Sequence, residues 1–316
     1  MLKLNSDMFT ESAKSKAPAN IALQILIFIA VFIVIMIAEG IGSVVFIIPA
    51  MLKELLASGT DTMTFSESYA MTEELMNDWH YMIPTLIATV FGTILSVIYC
   101  RFIESRSLRS MGIKKEKAVP DYLCGIVIGF VLMTVITLLS ALTGVNKISV
   151  SDNIPVGIIL FYLLGWFIQG MSEEFIFRGY LMNSIGGKHS AALAISVSSI
   201  AFAFAHSTNP GFGILPIINL FLFAAFAGLY IICTGNIWGA CAIHSIWNFT
   251  QGNIYGLSVS GTGNINTVLV TEPVSSSAFL TGGTFGIEGS IFTTIVMIAA
   301  IVIVLFKIKK QSEKEA

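Results

Sequence analysis

The stretch GMSEEFIFRGYL, Gly170–Leu181, puts two adjacent glutamates and an arginine inside one of the most apolar parts of the chain. Its surroundings decide the fold. The 316 residues are 55% hydrophobic and only 11% charged, where a soluble domain carries roughly 25% charged residues. Such a composition belongs to an integral membrane protein. In that setting, ionisable side chains are expensive and are functional candidates by default. The formal net charge of −2 gives no sign of a nucleic-acid partner; the partners implied are the lipid bilayer and a membrane-associated substrate. The cell membrane is the expected location.

Working outward from the stretch, apolar runs long enough to span recur at about 21–50, 82–100, 121–144, 154–184, 190–207, 213–234, 237–254 and 290–306. They predict an all-α polytopic membrane protein of about eight transmembrane helices. Lysine and arginine set its orientation. The N-terminal tail, the segment CRFIESRSLRSMGIKKEK (100–117), Lys188 and the tail KIKKQSEKEA are basic. Residues 53–80 hold one lysine among many acids, and 255–289 hold no lysine or arginine. Both termini are therefore expected in the cytoplasm. The chain divides into a tail (1–20), N-terminal helices (21–153), a core of four helices (154–254), and an outer loop, last helix and tail (255–316). The outer loop is either flexible or a small hairpin around NTVLV (266–270). Cys100, Cys124, Cys233 and Cys241 lie in or beside apolar runs without paired spacing and are read as reduced, buried thiols.

The ionisable residues within the central spans are Glu173, Glu174, Arg178, His206 and His244, with Asn248 as an uncharged companion. Glu174 and Arg178 are four apart, share a helix face and can pair. Glu173 is turned about 100° away, free to act elsewhere. At about 1.5 Å per residue, the depths of Glu173, His206, His244 and Asn248 agree within a few turns, so antiparallel packing could gather them in one cavity. A carboxylate and an imidazole there position and deprotonate water; a second imidazole and an amide donate to an oxyanion. Two histidines and a glutamate (Glu173, His206, His244) are equally a zinc donor set. Both readings end in hydrolysis. There is no H-E-x-x-H, no aspartate well inside a span, and GMSE is not a serine elbow.

In this order, EEFIFR, FAFAH and HSIWN fit E-E-x-x-x-R, F-x-x-x-H and H-x-x-x-N. The region 154–254 resembles the CPBP family, the type II CAAX prenyl endopeptidases and bacteriocin-processing and immunity (Abi) proteins. The resemblance implies a membrane-embedded endopeptidase. In it Glu173 activates water with His206, His244 and Asn248 hold the oxyanion, and Glu174 and Arg178 support the structure. It implies metal-free glutamate chemistry, with zinc as the alternative and no other cofactor. Cleavage is expected near the cytoplasmic half of the bilayer.

Two other classes compete: a non-catalytic immunity or scaffold protein of the same fold, and a small-solute transporter, which the lack of an internal repeat disfavours. Other polar residues have simpler readings. His80, beside Trp79 and Tyr81, belongs to an interfacial belt. Glu39, Gly40, Gly42, Gly125 and Gly129 serve helix packing, and Phe202 packs against the site. The basic segment 101–117 anchors on anionic lipid.

Overall fold

The computed structural model describes residues 6–58, 64, 66–67, 78–263 and 266–315. Part of the acidic loop 53–80, the first residues of the tail and residues 264–265 lie outside these.

The fold is helical. Helix α1 (Asp7–Ala13) precedes α2 (Ile21–Ser58), α3 (Trp79–Ile103), α4 (Ala118–Leu142) and α5 (Val156–Gly186). Then come α6 (Ala191–Ala205), α7 (Ile214–Thr234) and α8 (Trp238–Phe249), which continues as a π-helical turn over Thr250–Ile254. The short α9 (Ala278–Thr281) precedes α10 (Ile291–Glu315). Among the described residues, six helices (α2, α3, α4, α5, α7 and α10) are long and apolar enough to cross a membrane. The other two expected spans are present as helices, α6 and α8, but are shorter. Leu26, Ile33, Ile41, Val127 and Ile303 are more than 50% exposed, as lipid-facing side chains of a membrane bundle would be.

The outer loop does not form a hairpin around NTVLV. Instead β2 (Leu269–Pro273) pairs antiparallel with β1 (Asn146–Val150), with Asn146 opposite Pro273 and Val150 opposite Leu269. The strand pair ties the α4–α5 connection to the outer loop at one end of the bundle. At the opposite end, the N-terminal tail is more than a polar leader. Ser6 caps α1 by accepting from the Met8 N–H at 3.3 Å, and Met8 and Phe9 are buried. Lys188 Nζ donates to the carbonyls of Ala13 and Ser15, at 2.9 and 3.1 Å.

Among the cysteines, all free, only Cys100 and Cys241 are buried; Cys124 is exposed and Cys233 half-buried. A thiol is apolar enough to sit on the surface of a membrane helix.

Helix α8 is the centre of the core, packed between α4 and α5. Small residues make that approach close. A Cβ at Gly129 would lie 2.5 Å from the Ile243 carbonyl oxygen, and one at Gly170 would lie 2.7 Å from the Ser245 nitrogen. Gly42 also packs tightly, with a Cβ there reaching 3.0 Å from Ala88. Gly40 has nothing within 4 Å, so the packing reading fails for it.

Near its end α5 widens into a π-helix over Phe175–Met182. Four carbonyls along this segment are taken by side chains. Ser198 Oγ donates to Phe177 at 2.8 Å, and Asn183 Nδ2 donates to Arg178 at 2.8 Å. Arg106 donates to Gly179 at 2.9 Å and Tyr180 at 3.1 Å. Arg106 therefore does not anchor on lipid. Its side chain is 0% exposed, pairs with Glu104 at 3.2 Å and clamps the widened turn. Lys114 is mostly buried and pairs with Asp7, and Arg109 pairs with Glu116; Lys115 and Lys117 are exposed.

Gly170→Val should lower stability by about 1–3 kcal/mol through overpacking, whereas Gly40→Val should leave it unchanged. Thermal unfolding of the two variants in detergent checks this.

Candidate active site

Each polar side chain singled out from the sequence reaches the site by a local rule. Arg178 and Glu174 face one another along α5, NH1 donating to Glu174 Oε1 at 2.9 Å, and the pair is almost wholly buried, at 1% and 0% exposure. The arginine Cζ lies 4.5 Å from the centre of the Phe202 ring, a cation–π contact that gives the phenylalanine of FAFAH a specific role. Glu174 Oε1 also accepts from His244 Nδ1, again at 2.9 Å. A carboxylate beside arginine accepts, so Nδ1 carries the hydrogen and Nε2 is directed elsewhere.

It is directed to Glu173. His244 Nε2 and Glu173 Oε2 are 3.6 Å apart, too far for a direct hydrogen bond. Glu173 Oε2 has no hydrogen-bond partner. When His244 is neutral both atoms are acceptors, so the gap calls for a proton on one of them or a water between them. With His244 protonated, the group of Arg178, Glu174, His244 and Glu173 carries no net charge. Unlike Glu174, Glu173 retains 21% side-chain exposure, because it reaches a cavity.

That cavity, of about 150 Å³, is lined by Glu173, His206, His244 and Asn248 together. His206 sits immediately after the last residue of α6, with Nδ1 2.9 Å from the Phe202 carbonyl. A carbonyl only accepts, so Nδ1 donates and the neutral ring keeps an unprotonated Nε2. Asn248 Nδ2 donates to Gln169 Oε1 at 2.9 Å, and Gln169 Nε2 donates to Glu173 Oε1 at 2.5 Å. One N–H of the Asn248 amide remains for another acceptor.

Gln169 was not among the sequence candidates. Its signal is legible afterwards: it is an amide in an apolar span, one helical turn before Glu173. Glu288 had no local signal. It reaches the cavity wall from the outer loop and is held by Trp247 Nε1 at 2.8 Å, the Ser260 N–H at 2.8 Å and Ser260 Oγ at 2.9 Å. The outer loop therefore belongs to the site, with Val259, Ser260 and Thr262 on the cavity wall beside Asn209. Glu39, assigned to packing, lies against α3, where a Cβ at Gly92 would come within 2.7 Å of its Oε1.

Among the described residues, no three His, Cys, Asp or Glu side chains converge in a metal-binding group. His244 spends Nδ1 on Glu174 and keeps Nε2 toward Glu173.

The family profile described as type II CAAX prenyl endopeptidase Rce1-like matches residues 155–250, which span α5 to α8 and contain Glu173, His206, His244 and Asn248. No curated protein matches the chain.

Glu174→Gln leaves Arg178 as an uncompensated buried charge and should cost about 3–5 kcal/mol. Glu174→Gln with Arg178→Met should recover much of that loss, since the stranded charge is gone. Denaturation of the single and double variants measures both.

Proposed function

We propose, from the match of residues 155–250 to the Rce1-like type II CAAX prenyl endopeptidase model, that the chain is a glutamate-type intramembrane endopeptidase. It hydrolyses a peptide bond of a membrane-associated protein or peptide, in the cell membrane. The observation that carries the reading is the shared cavity, in which Glu173 offers an oxygen without a partner beside two imidazoles and an amide.

In this mechanism a water lies against Glu173 Oε2 and the unprotonated Nε2 of His206. Glu173 takes one proton as the water oxygen attacks the peptide carbonyl carbon, and the carbonyl electron pair moves onto oxygen. The free N–H of Asn248 and the protonated Nε2 of His244 hold that oxyanion. When the tetrahedral intermediate collapses, the C–N bond breaks and Glu173 returns its proton to the leaving nitrogen. Glu174 and Arg178 touch no reacting atom; they hold His244 with Nε2 toward the cavity. Gln169 fixes the second oxygen of Glu173, so that the free one faces the water. Each such preorganised donor or base is worth roughly 10²–10³ in rate.

Glu173→Gln keeps the shape and the Gln169 contact but removes the base. It should abolish processing while the protein still accumulates and melts normally, as read by comparing membrane peptides from cells carrying each form. Wild-type processing in that variant would overturn the assignment and favour a scaffold. Purified enzyme should keep its activity after chelation and dialysis; loss of activity together with a stoichiometric metal would favour the metalloprotease reading.

A further inference from the structure

We infer that the active site is entered from the end of the bundle that carries the β1–β2 pair, so that the scissile segment is presented on the extracytoplasmic side. This inference rests on the endopeptidase reading for the nature of its substrate, but its geometry stands separately. It departs from the expectation of cleavage near the cytoplasmic half of the bilayer.

Two independent observations meet here. The first is where the cavity leads. From Glu174 to Ile185, over three turns of α5, every residue is buried. On the facing helices, Phe226–Ile231 and Gly239–Asn248 are buried as well. Arg106 and the docked α1 close the same end further out. Nothing in this packing leaves a path from Glu173 toward the chain termini. In the other direction, the cavity wall runs to Met82, near the start of α3, to Asn209, and to Ser260 and Thr262 of the outer loop. Asn209, Ser260 and Thr262 are all partly exposed. The way in is therefore at the strand-pair end.

The second is where the charge lies. The closed end carries Lys14, Arg109, Lys115, Lys188 and Lys309, among others. In the segments that form the open end, 78–82, 143–155, 206–213 and 255–290, Lys147 is the sole lysine or arginine. Cytoplasmic loops are the ones that gather Lys and Arg, which puts the closed end inside and the open end outside. The substrate class that follows is a membrane-tethered protein or peptide whose cleavage point lies in its outer juxtamembrane segment.

The test is labelling of single cysteines by a membrane-impermeant maleimide, in a Cys124→Ser, Cys233→Ser background. Thr262→Cys, on the cavity wall, and Thr208→Cys, exposed at the same end, should label fully in intact cells. Lys309→Cys should label only after permeabilisation. The reverse pattern would overturn the orientation. Labelling of Thr208→Cys in intact cells while Thr262→Cys reacts only after permeabilisation would overturn the route of entry. Thr208→Cys reads orientation even where Thr262→Cys disturbs folding. Labelling needs no hydrolysis, so its outcome is independent of whether Glu173→Gln abolishes processing.

Discussion

A guanidinium that water cannot reach governs this structure. Arg178 is buried in an apolar bundle, and an isolated charge there is prohibitively costly. Glu174 neutralises it one helical turn away, and Phe202 covers it from α6. The same glutamate oxygen also receives His244, which ties α5 to α8. Three helices are thus held in register by one buried cation. The pair itself contributes little net stability, since desolvation offsets much of the attraction. Its effect is geometric: the imidazole has one allowed orientation, and Glu173 is left with an oxygen that no protein group satisfies.

Close helix approach makes the arrangement sterically feasible. In lipid no solvent drives helices together, so association relies on packing and on polar contacts between them. Gly129 and Gly170 let α8 press against α4 and α5. The π-helical segment of α5 then turns four of its carbonyls toward Ser198, Asn183 and Arg106, where the helix departs from α geometry. Such turns recur at functional sites, where a helix must redirect its side chains. Here the turn begins directly after the two glutamates.

Much of this was legible in the residue order. Long apolar runs have few structural alternatives in a chain with so little charge, and spacings of four residues fix which polar groups share a helix face. Those two rules gave the helices, the Glu174–Arg178 pair, and the separation of Glu173 from it. What stayed hidden depends on contacts distant in the chain. Glu288 lies 41 residues from the Trp247 indole that it binds. Arg106, in a segment that reads as a lipid anchor, is 73 residues from the Gly179 carbonyl that it clamps. The outer loop looked like a detached, glycine-rich excursion, yet it supplies part of the cavity wall and a strand paired with the α4–α5 connection. No periodicity announces such pairings. Gln169 is a different case, since its spacing to Glu173 was in plain view.

The central claim is that one water is shared by a carboxylate and an imidazole from different helices. An experimental structure of the protein in lipid, at a resolution that locates ordered waters, tests it most directly. The account predicts a water within hydrogen-bond distance of both Glu173 Oε2 and His206 Nε2, with His244 Nε2 beside it. Side chains of Glu173 and His206 too far apart for a single water to bridge would contradict it.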